Sequence, residues 1–332
     1  MKRARWFRGI LVVLALSIGG LVVVGLLWGD RLSLEALGNI RPAYLVLAST
    51  MVGGMWLTEA LRVRTILGIL GEEVSLGRVL VVNLATLFWA AVTPAASGGP
   101  PAQIYFLSKA GVQPVKAVAA VTGRLLLTSL FFVITVPLTF IIFQHALGLP
   151  RSLAVLIYLA SACLLGAVAL LLYLLLRTRV IYRLVIAVDR LPVVGRIARK
   201  ANWAEGLAKL RSALNVLISA PRTKAILAFG YTLAYEVLFF GLAPVILSGL
   251  GLVVPVADVV VRQLVVYFLS SYVPLPGASG VAELGMGGLF SGLVPREALL
   301  PFVGGWRLFT YYINIVVGLL VFIRFMRTPV LS

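Results

Sequence analysis

The sequence predicts an all-α polytopic membrane protein with inverted-topology repeats, each containing a re-entrant half-helix hairpin, and three observations support this prediction. First, 61% of the 332 residues are hydrophobic and 12% are charged, whereas about a quarter of an ordinary soluble domain is charged. Second, the apolar runs reach about 18 residues or more, the length of a helix that crosses the hydrocarbon core. Third, a Gly- and Pro-rich motif occurs twice.

Six apolar segments are long enough to span the membrane, and they occupy residues 10–28, 42–62, 117–143, 152–176, 225–249 and 298–323. Two shorter apolar segments, 78–92 and 259–273, each lead into a Gly/Pro-rich turn and a second short apolar piece. This pattern is typical of a hairpin of two half-helices that enters and leaves the membrane on the same side. We therefore expect a single transmembrane domain over residues 1–332.

The positive charge of the chain is concentrated on one predicted side of the membrane. If both hairpins are re-entrant, most of the 29 Lys and Arg residues lie in the N-terminus, residues 62–116, the loop 177–224 and the C-terminus. The positive-inside rule then places both termini in the cytoplasm of a cell-membrane protein. The net charge of +18 therefore needs no nucleic-acid partner.

The loop 177–224 contains an amphipathic pattern. A basic run precedes it, and apolar residues then recur at helical spacing: Trp203, Leu207, Leu210, Leu214 and Leu217. Such a helix lies either at the inner leaflet, where basic residues meet anionic lipid, or against the protein's own cytoplasmic face. The sequence leaves both alternatives open.

The internal repeat has opposite orientations in its two copies. A shift of 182 residues aligns TPAASGG at 93–99 with LPGASGV at 275–281, and a shift of 183 aligns Arg124 with Arg307. The repeats cover about 42–143 and 225–323, and the charge-derived topology places the first hairpin on the cytoplasmic side and the second on the outer side. Inverted repeats with broken helices near the midplane are a recurrent plan of transporters.

Arg124 and Arg307 are the strongest candidates for function. An arginine within a span is costly unless it faces a partner or a wet cavity, and its guanidinium binds phosphate through two hydrogen bonds. We expect the two arginines to converge on one phosphate-sized site between the turns. The alternative is that each closes a structural ion pair, with Glu59, Glu236 or Glu283.

The two turns supply further candidates. Their glycines allow backbone N–H groups to approach a ligand, and Ser97 and Ser279 are placed to cap the following half-helix, whose N-terminus favours an anion. The alternative is that these small residues only allow close packing. Glu283 occurs in the second repeat alone, where its two possible roles are uptake of a proton and neutralisation of an arginine; we expect it to lie beside an arginine in the cavity and not in lipid. Glu59 and Glu236 are secondary candidates. The remaining binding candidates are Gly98, Gly99, Gln103, Gly277, Gly280, Tyr311 and Tyr312.

Catalysis finds little support in the sequence. One cysteine, Cys163, and one histidine, His145, are too few for a metal site built from these residues. No nucleophile elbow, phosphate-binding loop or zinc-protease motif is present. We expect a protein that is not an enzyme and needs no metal or cofactor.

Three motifs resemble the flippase-like family represented by the membrane region of lysylphosphatidylglycerol synthases, the multiple peptide resistance factors. They are TPAASGGPPAQIYFLSKAG, VPLPGASGVAELGMGGLF and GGWRLFTYYINIVVG, and the similarity runs over roughly residues 40–325. The residues that match the family's motifs are Thr93, Pro94, Ser97, Gly98, Gly99, Pro101 and Gln103, then Pro274, Pro276, Gly277, Ser279, Gly280 and Glu283, and finally Trp306, Arg307, Tyr311 and Tyr312. In the synthases a cytoplasmic aminoacyl-transferase domain follows, and we expect no such domain here, so the resemblance implies only the lipid-translocating role.

The sequence therefore predicts a transporter that moves a phosphate-bearing lipid between leaflets. Its partners would be membrane lipids with phosphate headgroups: aminoacylated or anionic phospholipids, or polyprenyl-phosphate carriers. A membrane-embedded lipid-modifying enzyme, its non-catalytic subunit, and a small-anion transporter are the alternatives. The sequence leaves a homo-oligomer, the direction of transport and its driving force open.

Overall fold

A computed structural model describes residue 15 and residues 17–28, 41–147, 151–176 and 203–327, and these ranges form α-helices without a β-strand. The predicted all-α class is confirmed for this part of the chain. In chain order the helices are α1 (Ser17–Trp28), α2 (Pro42–Ile69), α3 (Leu76–Val92), α4 (Gly99–Lys109), α5 (Pro114–Leu147), α6 (Arg151–Leu176), α7 (Trp203–Ile218), α8 (Arg222–Gly249), α9 (Val256–Ser270), α10 (Val281–Phe290) and α11 (Arg296–Arg327).

Four of these helices are long and apolar enough to cross a membrane: α2, α5, α8 and α11. They confirm a multi-pass membrane protein. α6 coincides with the predicted span at 152–176, and α1 is the described part of the predicted span at 10–28. The basic N-terminus and the basic run before Trp203 lie outside the described residues.

The helix α2 is longer than predicted. We expected it to end near residue 62, with Arg62 in a cytoplasmic loop, but the helix continues to Ile69 and Arg62 is only 2% exposed. The predicted end was based on the drop in hydrophobicity at this arginine. The helix continues past it because the side chain of Arg62 forms hydrogen bonds with Thr128 and Thr232 and an ion pair with Glu59 inside the bundle.

Two pairs of short helices, α3–α4 and α9–α10, flank the Gly/Pro-rich turns at 93–98 and 271–280. The helices are interrupted because the turns contain residues with positive φ, a conformation outside the α-helical region; these are Ala95, Ala96, Gly277, Ala278 and Gly280. The two turns touch each other. Pro94 and Pro276 form an isolated antiparallel bridge, and the N–H of Ala95 donates to the carbonyl of Leu275 at 3.4 Å.

Helices from the first half of the chain pack against helices from the second half. α2 packs along α8, α3 packs against α11, and α9 packs against α5. One cluster of buried apolar side chains is built mainly from α8–α11, and another mainly from α2–α5. The two turns meet between these two groups of helices.

The amphipathic helix α7 packs on the protein itself. It lies against α5, and Leu214 is 3% exposed within the apolar cluster that α2 and α5 share. A cavity of about 160 Å³ beside Leu214 and Leu217 is lined by residues of α2, α5 and α8. The structure therefore favours the second of the two alternatives for this helix.

Candidate functional site

A cavity of about 290 Å³ lies where the two turns meet. Its volume is at the lower end of the range found for small-molecule sites, roughly 300–1,000 Å³. Both turns contribute to its wall, together with residues from α3, α8, α9, α10 and α11; the lining residues are Leu87, Ala90, Ala91, Ala95, Ala96, Tyr235, Phe239, Tyr267, Ser270, Ser271, Gly277, Ala278, Ala282, Trp306, Arg307, Thr310, Tyr311 and Asn314. The cavity is mostly aromatic and small apolar surface with a few polar groups.

Arg307 is the cationic group of the cavity wall. Its Nη2 donates to Oε2 of Glu283 at 2.8 Å, and the guanidinium also donates to the carbonyl of Gly277 at 3.3 Å. The guanidinium carbon lies 5.0 Å from the ring centre of Tyr311. Arg307 therefore closes a structural ion pair and also lines the cavity.

Glu283 is completely buried and joins three elements. One carboxylate oxygen receives the N–H of Gly280 at 2.8 Å as well as the guanidinium of Arg307. The other accepts a hydrogen bond from the hydroxyl of Ser17 in α1. Glu283 lies beside an arginine as expected, but it does not line the cavity, and its carboxylate also caps the N-terminus of α10.

Tyr311 and Tyr312 contribute differently. Tyr311 lines the cavity, and its hydroxyl donates to the carbonyl of Ala91 at 2.9 Å, so it connects α11 to α3. Tyr312 faces α1, with its hydroxyl 2.6 Å from the hydroxyl of Ser17. Both lie in a π-helical segment, Leu308–Tyr312, a distortion that is frequent at functional sites.

The first turn has no equivalent of Glu283. Gly98 is the N-cap of α4, and its N–H donates to the hydroxyl of Thr93 at 2.8 Å. The expected capping by Ser97 and Ser279 is wrong, because Thr93 and Glu283 receive the N–H groups of the two N-cap glycines instead. Gln103 is buried and donates to Asn83 at 2.9 Å.

The predicted residues divide into those in the cavity wall and those outside it. Gly277, Arg307 and Tyr311 line the cavity. The other candidates surround or support it without lining it; they are Ser97, Gly98, Gly99, Gln103, Ser279, Gly280, Glu283 and Tyr312.

Arg124 is not in the cavity wall, which differs from the predicted convergence with Arg307. Its Nη1 donates to Oε1 of Glu59 at 3.0 Å, and Arg62 pairs with the other oxygen of the same carboxylate. Glu59 draws Arg124 toward α2, whereas Glu283 holds Arg307 beside the second turn. The two arginines thus occupy matching positions in the sequence but different environments.

The Glu59–Arg62–Arg124 cluster is fixed by two threonines. Nη1 of Arg62 donates to the hydroxyls of Thr128 on α5 and Thr232 on α8, at 3.0 and 3.3 Å. The guanidinium carbon of Arg62 also lies 5.8 Å from the ring centre of Tyr235. Because Tyr235 also lines the cavity, its ring lies between the cavity and the Glu59–Arg62–Arg124 cluster.

The family follows from comparison with known sequences. A model of the family described as the lysylphosphatidylglycerol synthase TM region matches residues 10–318. The chain belongs to this family. It is also 27% identical, over 285 residues, to an Archaeoglobus fulgidus protein described as a UPF0104 membrane protein; the alignment covers 82% of this chain and 84% of the relative.

In this member of the lysylphosphatidylglycerol synthase TM-region family, four residues in or beside the site were not predicted from the sequence. Arg62 lies three residues after Glu59 in an apolar helix, a spacing that brings opposite charges together on one helix face, and this signal could have identified the pair. Tyr235, Tyr267 and Ser17 had no such signal, because aromatic and small polar residues are common in membrane helices.

Proposed function

We propose that the protein is a lipid flippase-like transporter that moves a phosphate-bearing lipid between the leaflets of the membrane. The observation that carries this proposal is the cavity between the two turns, with Arg307 in its wall. Its volume suits a headgroup and not a whole phospholipid, so the tails would remain in the bilayer. A guanidinium in a partly apolar site is suited to the planar, two-point binding of a phosphate.

We further propose that the chain consists of two inverted repeats, α2–α5 and α8–α11, with α3–α4 and α9–α10 as re-entrant hairpins. Pro94 and Pro276, which align in the sequence repeat, pair with each other in an antiparallel bridge, and such a pair has a local two-fold axis. In such a repeat α2 corresponds to α8, α3 to α9 and α5 to α11. A two-fold axis would therefore convert the α3–α11 contact into the α9–α5 contact and would map the α2–α8 contact onto itself, and all three contacts are present. Two halves of opposite orientation give similar access from either side.

The experiment is lipid translocation in vesicles that contain the purified protein, with a fluorescent phosphatidylglycerol as the probe. Arg307→Lys keeps a positive charge beside Glu283 but loses the planar two-point grip. We expect translocation per folded molecule to fall by about tenfold or more, on the order of one lost charged hydrogen bond. Arg78→Lys, at an exposed position on α3, is the matched control and is expected to behave as the wild type.

Three results would contradict the proposal. Wild-type translocation in Arg307→Lys would remove this residue from the mechanism. A new lipid species formed by the purified protein would favour a lipid-modifying enzyme. Uptake of inorganic phosphate into sealed vesicles, without movement of the lipid probe, would favour a small-anion transporter.

A further inference from the structure

Glu236 is a buried carboxyl group for which the described residues supply no hydrogen-bond or ion-pair partner. It lies on α8 and is 3% exposed. Within the described part of the chain it makes no hydrogen bond and no ion pair, unlike the partly buried Glu59 and the buried Glu283. An ionised carboxylate in such a place is costly, whereas a neutral carboxylic acid is tolerated. The environment therefore favours a proton on Glu236.

The ionisable groups around Glu236 come from all the helices that pack on α8. Glu59 and Arg62 on α2 act on it electrostatically, and Arg124 on α5 pairs with Glu59. The titratable phenols are Tyr267 on α9, which packs against α8, and Tyr235 on α8 itself. α11 contributes Arg307 and Tyr311, of which Arg307 is already paired with Glu283.

The protonation of Glu236 decides the net charge of this region. With Glu236 neutral, the guanidiniums of Arg62 and Arg124 face a single carboxylate, Glu59, which leaves one cation in excess. With Glu236 ionised, cations and anions balance. Binding of one proton thus makes the region positive, in a low-dielectric setting where charge acts over several ångströms.

This region borders the cavity through aromatic side chains. Tyr235, which precedes Glu236 in α8, lines the cavity together with Tyr267 of the adjacent helix α9. Phe239, one helical turn after Glu236, is also in the cavity wall. A phosphate in the cavity is therefore stabilised when Glu236 carries a proton, and reciprocity requires that the phosphate in turn favours the proton.

We propose that a phosphate-bearing headgroup in the cavity raises the proton affinity of Glu236, so that at a pH where the free protein has lost this proton the headgroup and a proton bind together and translocation is coupled to a proton. The proton passes from hydronium to a carboxylate oxygen, which gives a neutral carboxylic acid and water, and it returns to water when the headgroup leaves. This inference rests on the proposed function. Carboxyl groups that bind and release protons within the membrane are a recurrent feature of coupled transporters.

The first experiment detects the proton directly and needs no ligand. Infrared spectra of the wild-type protein in lipid nanodiscs should contain the carbonyl band of a buried protonated carboxylic acid at neutral pH. The band should vanish in Glu236→Gln and persist in Glu73→Gln, an exposed carboxylate outside the site. Absence of the band from the wild type, or its persistence in Glu236→Gln, would overturn the proposal.

The second experiment measures coupling in weakly buffered solution. At an alkaline pH, where the infrared band of the free wild type has weakened, binding of short-chain phosphatidylglycerol should take up a proton. Its apparent Kd should rise by up to about tenfold per pH unit over that alkaline range. Glu236→Gln should bind the probe without proton uptake and without this pH dependence, while Glu73→Gln should match the wild type. Proton uptake by Glu236→Gln equal to that of the wild type would contradict the coupling.

Inorganic phosphate serves as the parallel probe and separates a free anion from a lipid headgroup. If neither probe binds the wild type, the proposed function and the coupling both fail, while the infrared band still decides whether Glu236 holds a proton. If a probe binds without proton uptake, the proposed function stands and the coupling alone fails.

Discussion

Arg307 and Glu283 form a buried ion pair that also organises the backbone of the second turn. The carboxylate receives the N–H of Gly280, and the guanidinium donates to the carbonyl of Gly277. A pair of this kind is sensitive to the loss of one partner, because about 3–5 kcal/mol is lost when a buried charge is left alone. For this reason Arg307→Lys, which keeps the charge, is a better probe of transport than Arg307→Ala.

Gly277 is the residue at which the turn is least tolerant of a side chain. Its φ is +58°, and a Cβ atom would overlap the ring of Tyr311. We expect Gly277→Ala to lower the free energy of unfolding in detergent by about 2–4 kcal/mol, from overpacking and backbone strain together. Thermal unfolding of the purified variant measures this loss.

The control for Gly277→Ala is Gly251→Ala. Gly251 has φ +79° but no atom near its Cβ position, so this variant isolates backbone strain and should lose only about 1 kcal/mol. Equal losses in the two variants would show that contact with Tyr311 does not matter.

At the level of elements, the contact between α3 and α11 depends on one glycine. A Cβ atom at Gly318 would lie 2.6 Å from the backbone nitrogen of Phe88 and 3.0 Å from the carbonyl oxygen of Leu84. Backbone atoms cannot rotate away as a side chain can, so the helices would have to separate. We expect Gly318→Ala to lower the free energy of unfolding by about 1–3 kcal/mol, measured by thermal unfolding in detergent.

A second glycine of α11 provides the control for that change. Gly304 has no atom within 4 Å of its Cβ position, and alanine is favoured over glycine in a helix by about 1 kcal/mol. Gly304→Ala should therefore be neutral or stabilising. A Gly318→Ala variant as stable as Gly304→Ala would argue against close packing of α3 on α11.

For the whole molecule, the proposed inverted topology predicts the side from which single cysteines are labelled. The exposed Cys163 is first replaced by serine. Cysteines at Glu73 and Gln113, which flank the α3–α4 hairpin, should react with an impermeant maleimide only from the cytoplasm. Cysteines at Val253 and Glu297, which flank the α9–α10 hairpin, should react only from outside; all four positions are exposed.

Either hairpin can be rejected separately by this labelling. Glu73 and Gln113 labelled from opposite sides would mean that the first hairpin crosses the membrane, and the same result at Val253 and Glu297 would apply to the second. If all four positions were labelled from the same side, both hairpins would still be re-entrant, but the two repeats would have the same orientation and the inverted-repeat proposal would be wrong.

Features that depend on local pattern can be predicted from the amino-acid sequence. Hydropathy over about 20 residues identifies a span, and helix-breaking residues identify a turn, so the predicted segments at 78–92 and 225–249 lie close to the helices Leu76–Val92 and Arg222–Gly249. The motifs around Ser97, Glu283 and Arg307 likewise sufficed to identify the family.

The contacts between polar groups of different helices could not be predicted in this way and were found only in the folded structure. Arg124 pairs with Glu59, 65 residues earlier in the sequence. It does not line the cavity, whereas Arg307 does. Arg62 is inside the bundle, and Glu236 has no hydrogen-bond or ion-pair partner in the part of the chain that the structure describes. Hydropathy and spacing describe each helix alone, whereas an ion pair between two helices depends on their packing and rotation, which arise from close contacts such as those at Gly318 and Gly277.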